Sequence, residues 1–452
     1  MGTPPSELTA GEAARAIREG RLSPLELVEA ALARIETLDG TIQAFCFIDA
    51  EKARRDAELL GQEAARGSFR GALHGVPFAV KDIFCTEGVP TEAGSAVLAG
   101  HVPSFDAAAV ARLKQAGAIM LGKTHTTEFA NVDPAPTRNP WNTGYTPGGS
   151  SSGSAAAVAA RMVPLALGTQ TGGSTLRPAA YCGVVGFKPS FGRVSLHGVL
   201  PLTWCIVHVG FIGRSVADVA LALEATAGFD PADPSSARLA VPKLDLGAFA
   251  ARPPMVGRIR DAFFEEADPG ILAAMDEAAR QLSAAGASIR EVRLPASFAA
   301  IYAAQHLAEE VEMAEIHAEQ YAAKAALYRP KMRAAIELGF LVPPELYVRA
   351  QRIRRQFRAD MIDMMKPFDA LLLPTISAPA PEIHAGTGDW KFQSPWSSAG
   401  LPSISLPFGL SRSGLPLAIQ LLGAPFAEAI LLAAACWSES ILGGLPPPPM
   451  TA

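Results

Sequence analysis

Apolar positions in the first part of the chain fall on a helical stripe. Leu25, Val28, Leu32 and Ile35 are spaced three and four apart, so they share one face. Ser23-Pro24-Leu25-Glu26 opens that stripe as a capping box, with proline at the first helical position. The pattern changes at Gly71. Short unalternating apolar runs then appear at Val76–Val80, Ala118–Leu121 and Val163–Leu167, between helical and glycine-rich pieces. Such runs predict strands covered on both faces. Asp106–Ala116 predicts a helix with Asp106 as N-cap, Val110 and Leu113 facing inward and Gly117 closing it.

From about residue 230 the pattern turns helical again, with an Ala/Glu-rich stretch at Ile301–Leu327 and an Arg-rich one at Tyr347–Met365. Strand-like runs return at Ala370–Leu373, Ser403–Leu406 and Leu417–Leu422. Strand–helix alternation with buried strands predicts one large α/β/α domain over residues 1–452, its mixed, mostly parallel sheet covered by helices on both faces. Four stretches divide it: N-terminal helices at 1–70, a core at 71–229, a helical insert at 230–367 placed to cover a pocket mouth, and strands at 368–452 that rejoin the first sheet. No linker or repeat interrupts the chain, and only residues 1–6 and 443–452 read as tails.

Composition narrows the function. The 39 Lys and Arg against 44 Asp and Glu give a net charge of −5, without the basic footprint of a nucleic-acid binder. Charged residues are only 18% of the chain and mean hydropathy is +0.20, which points to a large buried interior. The five cysteines lie far apart with no CxxC, so free thiols in a reducing compartment are expected. The eight histidines show no metal-binding spacing, so neither metal nor cofactor is expected. No apolar run reaches the roughly 18–20 residues that span a bilayer, and Met1–Pro5 has no leader pattern. A cytoplasmic monomer or homodimer acting on a small molecule, with no nucleic-acid or membrane partner, is the expectation.

Two motif matches mislead. Gly117–Thr124 fits GxxxxGK[ST], but a phosphate loop must follow a strand and open a helix, whereas this segment follows a predicted helix and has an apolar strand in its middle. Gly149–Gly153 fits the nucleophile elbow GxSxG with Ser151 as nucleophile. An elbow needs a strand before it, and residues 139–148 are turn formers; Asp369 and His384 are its only available partners, with nothing to recommend them.

The remaining pieces form a constellation: Val76-Pro77-Phe78-Ala79-Val80-Lys81, Gly148-Gly149-Ser150-Ser151-Ser152-Gly153-Ser154, and Gly168-Thr169-Gln170-Thr171-Gly172-Gly173-Ser174. A lysine ending a buried strand is desolvated, which favours the neutral amine and makes it a base. Ser174 follows two glycines that let backbone N–H groups approach a developing oxyanion. A serine hydroxyl needs a base, and Ser150 can relay a proton because it donates and accepts at once.

On these residues the chain resembles the amidase signature family of serine hydrolases. Leu73-His74-Gly75-Val76-Pro77-Phe78, the Gly148–Pro189 stretch, Gly400-Leu401-Pro402 and Gly414–Gly423 extend the likeness over roughly the whole chain. The resemblance implies Ser174 as nucleophile, Ser150 as a serine preceded by a cis peptide, Lys81 as base and the N–H groups of Thr171, Gly172 and Gly173 as oxyanion donors. It places Phe129, Gly149, Trp204, Cys205 and Ile206 near the substrate pocket; Trp141, Tyr145, Phe340, Trp390 and Trp396 are further aromatic candidates. It also implies an acyl-enzyme route to cleavage of an amide, carbamate (urethanase) or ester, with a hydrophobic or aromatic substrate. Membership of a transamidosome-type amidotransferase complex, as one of its subunits, is the alternative. Five positions depart from the family's commonest residues: Gln170 for Asp, Ser152 for Gly, His125 for Asn, Cys205-Ile206-Val207 for Ser-Leu-Asp, and Ser398 for Asn. Gln170 is expected to replace a charge pair with Arg177 by a neutral hydrogen bond. The loss of a carboxylate at Val207 argues against an amino-acid or glutamine substrate.

Overall fold

The capping box forms as its residues dictate. Ser23 Oγ accepts the Glu26 N–H at 3.1 Å, Glu26 Oε2 accepts the Ser23 N–H at 2.8 Å, and the helix Pro24–Ile42 follows. Val28 and Ile35 are buried along it, while Leu25 and Leu32 pack partly buried beside them. The computed structural model describes residues 3–449; Met1, Gly2 and Met450–Ala452, at the outer ends of the two tail-like segments, lie outside the described residues.

Eleven strands are described: β1 (Phe45–Ile48), β2 (Pro77–Lys81), β3 (Ile119–Thr124), β4 (Leu165–Gln170), β5 (Val185–Lys188), β6 (His208–Gly213), β7 (Met255–Ile259), β8 (Ser288–Val292), β9 (Ala370–Pro374), β10 (Ser403–Leu410) and β11 (Pro416–Leu422). They make one sheet in the order β1-β3-β2-β4-β6-β5-β10-β11-β9-β7-β8. Helices lie on both faces, so the molecule is a single large α/β domain, as expected. The late strands do rejoin the first ones, through the pairing of β10 with β5.

Unalternating apolar runs became strands because both of their faces are dry. Phe78, Val80, Leu165 and Leu167 enter one core, whereas Ala79 and Ala166 enter the other with Ile119, Leu121 and the helix Ser152–Ala159. Alternation is lost when neither face meets water.

Three expectations are corrected. The sheet is mixed but not mostly parallel: β2–β3, β2–β4, β7–β8 and β7–β9 are parallel, while the other six neighbouring pairs are antiparallel. Residues 230–367 are not wholly helical. β7, the helix Pro269–Ala284 and β8 form a parallel crossover at the sheet edge, and β8 was hidden because its Ser-Ile-Arg-Glu-Val sequence is half polar, as an edge strand tolerates. Asp106 is not an N-cap. The helix Ala108–Gln115 starts at Ala107, and the Asp106 carboxylate is drawn away by the Glu87 N–H at 3.0 Å and Lys114 Nζ at 2.8 Å.

Candidate active site

Parallel pairing of β2 with β4 brings two chain segments to one edge of the sheet. Phe78 lies opposite Leu165 and Val80 opposite Leu167, so Lys81 and the end of β4 leave the sheet side by side. The carboxyl ends of parallel strands are where open α/β sheets bind ligands. The two glycine-rich loops converge there because the helix Ser152–Ala159 carries the chain from the first loop back into β4.

Lys81 is completely buried. Its Nζ donates to Ser150 Oγ at 2.7 Å and to Thr169 Oγ1 at 2.8 Å, and no carboxylate pairs with it among the described residues. Burial lowers its pKa well below the ordinary amine range, and the nearby Arg177 guanidinium adds to the effect. The amine is thereby held toward its neutral form. Ser150 is also fully buried, and the peptide bond from Gly149 to Ser150 is cis.

Ser174 lines a cleft of about 40 Å³ together with Ala130, Asn131, Val132, Thr171, Gly172 and Gly173, closed by Arg177, Leu202, Glu309 and Trp390. Its Oγ makes no hydrogen bond to any described residue, and none joins it to Ser150. The N–H groups of Thr171, Gly172, Gly173 and Ser174 likewise have no protein acceptor among the described residues. Four successive unpaired donors beside a hydroxyl make an anion-binding concavity. Glycine is required in this turn by close approach. A Cβ on Gly172 would sit 2.9 Å from Trp390 Cδ1, and one on Gly173 would collide with Gln393 Oε1.

Thr169 was not foreseen as a partner of Lys81, since nothing in the pattern distinguishes it from other strand threonines. Gln170 does something other than expected. It does not touch Arg177. Its Oε1 accepts the Thr175 and Leu176 N–H groups at 3.0 Å each, capping the start of the helix Leu176–Cys182, and its Nε2 donates to Ser397 Oγ at 3.0 Å. Arg177 instead donates to the carbonyls of Gly149 and Gly388 and to Thr387 Oγ1. Its positive charge is therefore left without a hydrogen-bonded carboxylate, close to Lys81.

The five pocket candidates lie around the cleft and are not among the residues that line it. Phe129 is buried behind the wall formed by Ala130–Val132, its ring 4.5 Å from that of His317. The Gly149 carbonyl faces Arg177. Trp204 is 57% exposed, its backbone N–H bonded to Glu312 at 2.7 Å and its indole N–H to Glu315 at 2.8 Å. Cys205 Sγ meets Glu312 at 2.8 Å, and Ile206 is fully buried. Trp390 is the one aromatic candidate in the cleft lining. Glu309, also in that lining, was missed because the Ala/Glu pattern of the helix Ile301–Lys324 reads as a solvated face.

The two decoys are placed plainly. Lys123 lies in β3 with its Nζ bonded to Phe84 O and Thr91 Oγ1, both at 2.7 Å, and 3.2 Å from Asp82, with no room for a phosphate. Ser151 Oγ is held by the backbone of Thr169 at 3.3 Å on both N and O, and no histidine reaches it among the described residues. No described helix is long and apolar enough to cross a membrane.

Comparison with known proteins agrees with this geometry. The family profile described as Amidase matches residues 26–432. The amidase-like component of glutamyl-tRNA(Gln) amidotransferase from Anaeromyxobacter sp. (strain K) is 39% identical, the match covering 99% of this chain and 100% of that one. Among solved structures, one described as a vestigial protein complex revealing the evolutionary origins of an s-triazine catabolic enzyme superposes with a TM-score of 0.90 at 34% identity, over 97% of this chain and 100% of that chain. Peptide amidase from Stenotrophomonas maltophilia superposes with a TM-score of 0.87 at 30% identity, over 99% of this chain and 100% of that chain.

Proposed function

The chain belongs to the amidase family, and from that premise we propose that it hydrolyses the C–N bond of a small hydrophobic or aromatic amide, with carbamates and esters as further substrates. The observation that carries this reading is the 2.7 Å contact between the buried, carboxylate-free Lys81 Nζ and Ser150 Oγ, beside the glycine turn of Ser174. Ser174 Oγ attacks the carbonyl carbon. Its proton passes to Ser150, whose own proton passes to Lys81. The oxyanion is held by the free N–H groups of residues 171–174. Collapse breaks the C–N bond, and the leaving amine takes the proton back along the same route. The ester on Ser174 is then hydrolysed by water. The Ser150–Ser174 hop closes as substrate binds, since catalytic hydrogen bonds commonly tighten only in the complex.

An apolar substrate is supported by the neighbouring surface. A cavity of about 420 Å³ lined by Leu196, Val199, Pro201, Trp204 and Val207 lies beside the cleft. Leu202, between two residues of that loop, lines the cleft itself. The test is turnover of p-nitroanilides, p-nitrophenyl esters and aryl carbamates of graded size by the purified chain alone. Hydrolysis without a partner supports the reading. A second reading, as one component of an amidotransferase, is favoured by the 39% identity over nearly the whole chain. It requires that turnover appear only with partner chains and an acceptor.

The base assignment has a pH signature. Activity needs the neutral amine, so kcat/KM holds above the Lys81 pKa and falls as pH drops through it. The Arg177 charge helps keep that pKa low. Arg177→Gln is therefore expected to raise it and move the acid limb of the pH–rate profile to higher pH. An unmoved limb would remove Arg177 from the account.

A further inference from the structure

Among the residues lining the Ser174 cleft, Glu309 is the single carboxylate. It stands on the helix Ile301–Lys324, in a stretch with no motif. Its Oε1 accepts from Gln305 Nε2 at 2.7 Å. The same Nε2 donates to the Thr171 carbonyl at 3.3 Å. The carboxylate is thus fastened to the turn that presents Ser174. Its second oxygen has no hydrogen-bond or ion-pair partner among the described residues, although Gln305 Oε1 beside it is a buried atom that is also unpartnered.

The surroundings leave the charge uncompensated. Burial pushes Glu309 up to about 7, against the Gln305 bond and the pull of Arg354; Glu310 and Glu312 on the same helix add to the rise. Arg177, across the cleft, directs its guanidinium to Gly149, Thr387 and Gly388. Ala130, Val132, Leu202 and Trp390 supply apolar walls. A carboxylate among such walls is costly unless something positive or rich in N–H groups meets it. Nothing within the protein does so at its free oxygen.

We infer that Glu309 is a specificity-determining residue that selects substrates carrying a basic nitrogen, an ammonium or amidinium, close to the scissile carbonyl. The inference deepens the amide-hydrolase reading and rests on it for the chemistry, though not for the binding. The apolar cavity then takes the rest of the substrate, and Glu309 fixes which end enters.

The test compares 3-aminopropanoyl and butanoyl p-nitroanilides at pH 8, above the Glu309 titration. The two acyl groups are isosteric and differ in charge. The wild type is expected to prefer the cationic substrate in kcat/KM by about tenfold, the order expected of one partly buried charge-assisted contact. Glu309→Gln is expected to erase the preference, and Glu309→Asp to restore part of it. A wild type with no preference, or one whose preference survives Glu309→Gln, overturns the inference. Calorimetry with benzylammonium and benzyl alcohol gives a reading independent of turnover. Selective binding of the cation that is lost in Glu309→Gln supports the assignment, and equal binding by both proteins overturns it. If neither anilide is cleaved, the amide-hydrolase reading fails while calorimetry still judges Glu309.

Discussion

Ser174→Ala is expected to lower kcat by about 10⁴-fold or more, the scale set by loss of a nucleophile that works as a unit with its base. Ser174 is the accessible member of the proposed trio, with an Oγ that bonds to no described residue, so its removal orphans no partner and the fold should be unaffected. A thermal midpoint within a few degrees of wild type beside absent turnover is the expected pair of results. Ser151→Ala makes the contrast sharp. Ser151 Oγ is engaged with the Thr169 backbone at 3.3 Å, so its loss should cost about 1–2 kcal/mol of stability and leave turnover largely in place. The opposite pattern, with Ser151 essential and Ser174 dispensable, would move the nucleophile to the elbow-like motif and end the present reading.

Lys81→Met is expected to abolish measurable hydrolysis, by about 10³-fold or more, while making the protein more stable at neutral pH. A general base positioned for proton transfer contributes about 10²–10⁴-fold. The stability change has the opposite sign. The unfolded chain holds a proton on Lys81 up to the free-lysine value of about 10.4, whereas the buried amine sheds it at much lower pH. Across that interval folding requires deprotonation, so native stability rises with pH until the free-lysine value is passed. Methionine is of similar length and carries no proton, so the variant escapes that cost. Denaturant midpoints measured at two pH values within the interval check this, because the wild type should gain stability with pH at this site and the variant should not. An active Lys81→Met protein would remove the base from the mechanism. An inactive but destabilised one would mark Lys81 as structural.

The parts of the proposed site differ in how they could be read from the chain. Lys81 was legible because a five-residue apolar run ending in lysine is a buried strand whose last side chain must lose water. Ser150 and Ser174 were legible as serines in glycine turns that nothing in a helix or strand would need. The cap at Ser23 was legible because it is made within four consecutive residues. Glu309 was not, because a glutamate on an Ala/Glu helix carries no sign of which neighbour it will face. The roles of Gln170 and Asp106 were misjudged for a related reason. Both polar groups found nearer partners, Gln170 at the head of the next helix and Asp106 at Glu87 and Lys114. β8 was hidden because an edge strand may be half polar and still pair.

The amino-acid order alone determined the strands of the central core, the helix caps, the family likeness and the inventory of lysine, serines and glycines from which a hydrolytic site can be assembled. These are consequences of local backbone preference and of apolar side chains leaving water, and both act over a few neighbouring residues. Tertiary structure alone decided that Thr169 meets Lys81, that Arg177 is left without a hydrogen-bonded carboxylate, and that Glu309 joins the cleft while Trp204 stands outside it. Those juxtapositions follow from the pairing of β2 with β4 and from where a distant helix packs against the sheet. They are long-range contacts, set by the packing of the whole core and not by any short stretch of chain.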